Sequence, residues 1–223
     1  MKTQCQRCKI GIEYTPITCF WIKMRMAPTH CDACSAVLDA EHRTDQQDER
    51  QQRFLAAWAD ICPPLYRDTD PARLPKKQLA KVMSWTYGPR GLLLHGSTGK
   101  GKTRCAYQLL HRLHFEEHRR IIAMTATSFS HYCGARFGNQ TGEKWIRELS
   151  QAEVFFLDDL GKGRLTERAE AELFGLIEAR IADCLPLILT TNATGASLVE
   201  QLSPDRGEPL VRRLREFCES VTF

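Results

Sequence analysis

The chain has 223 residues, of which 43% are apolar and 26% charged, so it can form one mid-sized domain with a hydrophobic core and a small appendage. The net charge of +4 permits contact with nucleic acid without arguing for it, because so small an excess is common on inert surfaces. No apolar run approaches the roughly 18 residues of a membrane span, and the amino terminus lacks the apolar segment of a secretory signal. We therefore expect a cytoplasmic protein without membrane partners.

Two C-x-x-C pairs near the amino terminus predict a zinc-binding module over residues 1–37. They consist of Cys5, Cys8, Cys31 and Cys34, with 22 residues between the pairs. Each pair can present two thiolates, and four thiolates form the tetrahedral site that Zn²⁺ favours. Metal would also stabilise a segment too short to hold itself together by apolar burial. The alternative to a zinc site is that these cysteines are redox-active or have no common role. Cys19 and His30 lie between the pairs and are possible substitute ligands. The segment from Tyr14 to Met26, also between the pairs, suits a β-hairpin.

Residues 38–75 are predicted to be a helical linker. The stretch from Asp39 to Arg53 is polar and charged, which indicates a helix with a solvated surface, and Cys62-Pro63-Pro64 ends it. The helix that we predict over Lys76 to Trp85 opens a second domain, which covers residues 76–223.

An eight-residue stretch reads G-x-x-x-x-G-K-T, the Walker A pattern of a phosphate-binding loop. The apolar run Gly91–His95 before it predicts a buried strand, and the helical spacing of apolar residues over Thr103–His118 predicts a helix after it. Backbone N–H groups and the helix N-terminus can bind phosphate, Lys102 can reach the β- and γ-phosphates, and Thr103 can ligate Mg²⁺. We predict an ATP site; a chance match in a glycine-rich turn is the alternative. The predicted binding residues are Gly96, Ser97, Thr98, Gly99, Lys100, Gly101, Lys102 and Thr103.

Four apolar residues, Val154–Leu157, run directly into Asp158 and Asp159, which is the Walker B pattern. The first acid lies 55 residues beyond the phosphate loop, with a predicted strand and helix between them. We predict that Asp158 holds Mg²⁺ and that Asp159 orients or deprotonates the attacking water. A later buried strand, Leu185–Thr191, delivers Asn192 to bind the same water or the γ-phosphate. An acidic turn after a strand is the alternative.

Ser128 to Phe137 carries aromatic residues at helical spacing, with His131 and Arg136 on other faces. Aromatic and basic groups of this kind can bind single-stranded nucleic acid. We prefer the interpretation as an amphipathic helix whose aromatic residues enter the core.

Together with a late arginine pair, these motifs resemble those of AAA+ ATPases, above all the bacterial and phage helicase loaders of the DnaC and DnaI type and the IstB-type transposition helpers. The resemblance covers roughly Lys76 to Phe223, about two thirds of the chain. It implies an α/β core with a parallel sheet between helices. The sequence ends about ten residues after Arg213, so we expect no C-terminal helical lid, as in the loaders.

The resemblance also implies that Arg213 is an arginine finger, which reaches the γ-phosphate on a neighbouring subunit. Arg212 is adjacent, so the assignment can slip by one residue, and a solvated basic helix is the alternative. Asp159 stands where many AAA+ proteins have Glu, and its shorter side chain implies slow hydrolysis or a switch.

By this resemblance we expect an ATPase that loads a replicative DNA helicase onto single-stranded DNA as a nucleotide-controlled homo-oligomer. ATP, Mg²⁺ and Zn²⁺ are the expected cofactors, and the zinc module would contact the helicase. One alternative is a transposition helper acting on duplex DNA, and another is a zinc-containing nucleic-acid binding protein whose P-loop senses nucleotide. A small-molecule kinase would also use a P-loop, but we disfavour that function because it gives no role to Asn192 or Arg213.

Overall fold

The computed structural model describes residues 1–15, 27–135 and 140–223. It divides into two compact units, Met1–Ala57 and Trp58–Phe223. The domain organisation predicted above, with a linker over 38–75, stays a prediction. Across the described part of the chain, no helix has both the length and the apolar character needed to cross a bilayer.

The first unit contains a short antiparallel hairpin and most of a long helix. Its elements are β1 (Lys2–Gln4), β2 (Gly11–Glu13) and α1 (Asp32–Ile61), of which α1 extends into the second unit. β1 pairs with β2 in the register Thr3 to Ile12, and the first C-x-x-C pair occupies the connection between them. The predicted solvated surface is present, because every residue of α1 from 39 to 53 is exposed. The hairpin predicted over Tyr14–Met26 lies almost entirely outside the described residues.

The second unit is built on a five-stranded sheet in which each neighbouring pair of strands is parallel. The strands are β3 (Gly91–His95), β4 (Ile121–Thr125), β5 (Val154–Leu160), β6 (Leu187–Thr191) and β7 (Cys218–Thr222). Their order across the sheet is β4-β5-β6-β3-β7. The carboxyl ends of all five strands therefore meet at one edge, which is where parallel α/β sheets bind ligands.

Helices cover both faces of the sheet. They are α2 (Pro64–Arg67), α3 (Lys76–Met83), α4 (Lys102–Phe115), α5 (Ala126–Ala135), α6 (Gln140–Gln151), α7 (Glu167–Ala182), α8 (Gly195–Gln201) and α9 (Pro204–Phe217). Because side chains alternate along a strand, Leu92 and Leu94 of β3 pack with α3 and α4, whereas Leu93 packs with α7 to α9. The predicted α/β core with a parallel sheet between helices is confirmed.

A buried arginine joins α7 to the connections at the amino ends of the strands. Arg180 is fully buried, and its guanidinium donates hydrogen bonds to the carbonyl oxygens of Leu149 (2.7 Å), Ala152 (2.8 Å) and Pro186 (2.5 Å). Burial lowers the pKa of Arg180 to about 10. These bonds satisfy carbonyls at the end of α6 and before β6, which would otherwise be buried without donors.

Candidate nucleotide-binding site and cysteine cluster

The predicted phosphate loop connects the end of β3 to the start of α4. Gly96, Gly99 and Gly101 all have positive φ angles, of 135°, 79° and 90°, a region that residues with a Cβ rarely adopt. At Gly96 a Cβ would also lie 2.2 Å from the carbonyl oxygen of Phe223. Gly101 is the N-cap of α4, so the positive end of the helix dipole faces the loop. The loop therefore has the backbone and the electrostatics of an anion-binding site.

Lys102 reaches from the first turn of α4 back into the loop. Its side chain is almost fully buried, and its ammonium donates to the carbonyl oxygens of Gly96 and Ser97, both at 2.8 Å, and to Asn192 Oδ1 at 2.7 Å. Burial lowers the pKa of Lys102, and the negative charges of the two Walker B aspartates oppose that lowering. Lys102 thus connects the phosphate loop to the end of β6.

Asp158 lies near the carboxyl end of β5 and contacts the start of α4. Its Oδ1 accepts hydrogen bonds from Thr103 Oγ1 at 2.8 Å and from Thr190 Oγ1 at 2.5 Å. Burial raises the pKa of Asp158, and the two hydroxyl groups partly offset this by stabilising the carboxylate. The two predicted Mg²⁺ ligands, Thr103 and Asp158, are therefore in direct contact, and their hard oxygen atoms fit the preference of that ion.

Asp159 adopts a left-handed backbone conformation, with φ of 59°, at the point where the pairing of β5 with β6 shifts register. Its N–H donates to Thr190 Oγ1 at 2.8 Å. Its carboxylate accepts from Asn192 Nδ2 at 3.5 Å and forms an ion pair with Lys162 Nζ at 3.1 Å. The structure thus brings together three of the predicted site residues, Lys102, Asn192 and Asp159, and their catalytic roles stay a prediction.

Two residues of this site were not predicted. Thr190 contacts both Walker B aspartates, and only its place in the T-T-N end of β6 could have suggested this. The second is Lys162, in the segment Gly161-Lys162-Gly163-Arg164 directly after β5. A basic residue between two glycines, three positions after Asp159, was the sequence signal that could have indicated a contact with the acids.

Arg213 lies in α9, away from the phosphate loop of its own chain. Its Nε forms an ion pair with Glu178 of α7 at 2.7 Å. It borders a small cavity together with Gly91 and Cys218, which begin β3 and β7, so it lies at the amino edge of the sheet. The adjacent Arg212 is exposed and lines a different groove, between α8 and α9.

The four predicted zinc ligands form a compact cluster in the first unit. The Sγ atoms of Cys5, Cys8, Cys31 and Cys34 all lie within 4.8 Å of one another. The Cys8 and Cys31 sulfurs are 3.6 Å apart, close to the ~3.8 Å that follows from tetrahedral zinc–sulfur bonds of ~2.3 Å. Sulfur donors at this spacing fit Zn²⁺. His30 contacts Thr29 through its Nδ1 and is not part of the cluster, and Cys19 lies outside the described residues.

Local backbone structure positions these thiols and shifts their pKa values. Hydrogen bonds from backbone N–H groups, chiefly that of Cys8, lower the pKa of Cys5 to about 5. Lys9, with φ of 62°, closes this knuckle by donating to the Cys5 carbonyl oxygen at 3.0 Å. The Cys34 thiol instead contacts the other thiols of the cluster. These contacts, chiefly the one with Cys31, raise the pKa of Cys34 to about 12. Four sulfurs this close compete for protons, and a divalent cation would favour the thiolate form of all of them.

The strand order, the glycine loop after β3 and the paired acids on β5 fit the fold of a P-loop NTPase core of the AAA+ type. No protein-family model matches the chain. A putative ATP-binding protein in an insertion sequence of Mycobacterium tuberculosis is 31% identical over 111 residues, which are 50% of this chain and 44% of that protein. The uncharacterized protein YdaV of Escherichia coli is 28% identical over 97 residues, 44% of this chain and 39% of that protein. The matched parts thus span less than half of these curated relatives.

Three solved structures of replication proteins share the fold. The DnaC helicase loader has a TM-score of 0.56 at 21% identity, covering 75% of this chain and 98% of that one. DnaI has a TM-score of 0.58 at 18% identity, covering 73% and 90%. The initiator DnaA bound to AMPPCP and single-stranded DNA has a TM-score of 0.58 at 18% identity, covering 74% and 51%. The resemblance to the AAA+ helicase loaders is confirmed at the level of the fold.

We predict one bound zinc per chain, held by the cysteine cluster. Elemental analysis should give one Zn²⁺ for the wild-type protein, and Cys34→Ser should release it, since three thiolates bind the ion less tightly than four. Cys184→Ser removes an exposed cysteine of the second unit and is the matched control, which should keep its zinc. Wild-type protein without zinc would contradict the assignment.

Proposed function

We propose that this chain is a Mg²⁺-dependent ATPase and that ATP binding controls its assembly. The observation that carries this proposal is the contact between Thr103 and Asp158, which joins the start of α4 to the Walker B strand beside the buried Lys102. In this geometry the backbone of residues 96–103 binds the phosphates, and Lys102 neutralises the β- and γ-phosphates. Mg²⁺, held by Thr103 and Asp158, would neutralise further charge on the phosphates.

Asp159 and Asn192 are the residues that act on the attacking water. The carboxylate accepts a proton from the water, and the amide group fixes both the carboxylate and the lysine of the loop. Aspartate has one methylene fewer than the glutamate of many AAA+ proteins, so it reaches less far towards the γ-phosphate. We therefore propose slow turnover, as suits a switch.

A homo-oligomer would complete this site with an arginine from a second copy of the chain. Arg213 is our first candidate. In the single chain it is paired with Glu178 at 2.7 Å and with Glu216 at 3.7 Å, and it would exchange these partners for a γ-phosphate on assembly. Arg212 is the second candidate because it is exposed and needs to break no ion pair that the structure describes.

We expect Arg213→Ala to keep ATP affinity and to lower kcat by about a thousandfold or more, the effect typical of an arginine finger. Arg212→Ala is the matched neighbour and should retain most activity. Steady-state hydrolysis should recover partly when Arg213→Ala is mixed with Lys102→Ala, because one kind of mixed interface has an intact loop and an intact finger. If Arg212→Ala, and not Arg213→Ala, loses ATP hydrolysis, the arginine finger is Arg212. If mixing the two variants restores no hydrolysis, the result contradicts a site shared between subunits.

We further propose that the ATPase loads a replicative helicase onto single-stranded DNA, with the zinc module as the helicase contact. The fold shared with DnaC and DnaI, and with a DnaA structure bound to single-stranded DNA, supports this proposal. The insertion-sequence context of the Mycobacterium tuberculosis relative favours a second candidate, a transposition helper that acts on duplex DNA. A nucleotide-sensing nucleic-acid binding protein would use the same loop with little turnover.

Affinity capture with the replicative helicase of the same host, with and without ATP, separates these functions. A loader should retain the helicase in an ATP-dependent manner, and Lys102→Ala should abolish the ATP effect because its phosphate site is damaged. Cys34→Ser should weaken capture without changing ATP affinity. Capture of a transposase on duplex DNA, with no helicase retained, would contradict the loader and favour the helper.

A further inference from the structure

We propose that the ion pair between Arg7 and Glu41 holds the two halves of the cysteine cluster at the spacing that zinc requires, which makes both residues positioning residues of the metal site. This role goes beyond the proposed ATPase function. It requires the zinc site predicted above, but it requires neither ATP nor a helicase.

The cluster is assembled from two segments that are separate in sequence. Cys5 and Cys8 belong to the connection between β1 and β2, whereas Cys31 directly precedes α1 and Cys34 lies in its first turn. There are 22 residues between the two pairs. Four thiolates can bind one ion only if both segments are held close together. The position of one segment relative to the other therefore determines how tightly the cluster binds metal.

Apolar packing contributes little to the position of these segments. Within the part of the first unit that the structure describes, residues 1–15 and 27–57, Cys5 is the one buried residue. Ile10 and Val37, which stand near the two pairs in sequence, are 61% and 46% exposed. So little buried apolar surface cannot fix a loop against a helix by the hydrophobic effect. The described part of the unit therefore depends on polar contacts and on bound metal.

The ion pair between Arg7 and Glu41 joins the first C-x-x-C pair to the helix that carries Cys34. Arg7 directly precedes Cys8, and its guanidinium donates from Nη2 to Glu41 Oε1 at 2.9 Å and from Nη1 to Oε2 at 3.1 Å. Glu41 follows Cys34 by seven residues, which is about two helical turns, so both lie on the same side of α1. Two parallel hydrogen bonds from a planar guanidinium fix orientation as well as distance.

This ion pair acts on the position of the thiols more than on overall stability. The side chains of Arg7 and Glu41 are 43% and 50% exposed, and a pair so exposed to solvent contributes little to folding. Beside it, the N–H of Gln6 donates to the carbonyl oxygen of Thr29 at 2.8 Å, two residues before Cys31. Without the ion pair, the first segment would be held chiefly by this backbone hydrogen bond, and the four sulfurs would lose their fixed spacing.

A purely electrostatic role of the two charges predicts a different response from a positioning role. Four thiolates and one divalent cation leave a net negative charge, which the positive charge of Arg7 would favour and the negative charge of Glu41 would oppose. Removal of the Glu41 charge would then strengthen zinc binding. Loss of an ion pair that positions the thiols weakens it instead, so the substitution Glu41→Gln separates the two roles.

The test measures the zinc affinity of the full chain by competition with a chromophoric chelator. Arg7→Gln and Glu41→Gln should each lower the affinity about ten- to a hundredfold, the effect typical of residues that orient metal ligands. Because both remove the same contact, the double variant should lose no more than either single one. Glu13→Gln is the matched control, which breaks the exposed ion pair with Lys2 (2.9 Å) on the same hairpin and should bind zinc as the wild type does.

Reversal of the pair gives a second readout. Arg7→Glu combined with Glu41→Arg rebuilds an ion pair of opposite polarity and should recover most of the zinc affinity that Arg7→Glu alone loses. Unchanged affinity in Arg7→Gln, higher affinity in Glu41→Gln or an equal loss in Glu13→Gln would overturn the proposal. Wild-type protein without zinc would overturn the zinc site and this role together. ATP affinity should be the same in all these variants, so failure of this role leaves the proposed ATPase function in place.

Discussion

The hydrogen bond from Thr103 to Asp158 is the interaction on which the candidate site depends. It joins the first turn of α4 to the end of β5, two elements 55 residues apart in sequence, across the intervening strand β6. The parallel sheet makes this contact available because β3, β5 and β6 all end at one edge. Thr190 of β6 completes it from the middle strand, and Lys102 and Asn192 form a second connection beside it. Both connections tie the phosphate loop to the acids that would act on its ligand.

Much of this site could be predicted because most of its functional residues belong to short, local sequence motifs. Glycine positions and the strand–loop–helix order predict the phosphate loop, and an apolar run into two acids predicts the acids. Strand neighbours are decided by long-range pairing, so the contact of the Thr190 hydroxyl with Asp158 could not be assigned beforehand. The ion pair of Lys162 with Asp159 is local, three residues apart, but it depends on the left-handed backbone of Asp159, which the sequence does not reveal. The same limit applies to Arg180, whose helical spacing gives no sign that carbonyl oxygens from the end of α6, about 30 residues away, would surround its guanidinium.

Element boundaries differed from the predictions by a few residues. The predicted start of α1 was wrong, because the helix begins at Asp32 and so includes Cys34, whereas the prediction began it at residue 38. Helix formation in the second C-x-x-C pair adds the favourable end of a helix dipole to the thiol cluster. The preferred interpretation of α5 as a core helix is confirmed for Phe129, which is fully buried, while Tyr132 remains exposed. Arg136 and Phe137 lie outside the described residues.

The most direct test of the central claim is the Mg²⁺ dependence of ATP affinity, measured by isothermal titration calorimetry for the wild type and for Asp158→Asn. If a bound ion bridges Asp158 and Thr103 to the phosphates, Mg²⁺ should strengthen binding to the wild type and have little effect on the variant. An equal response to Mg²⁺ in both proteins, or ATP binding that does not depend on Lys102, would contradict the site.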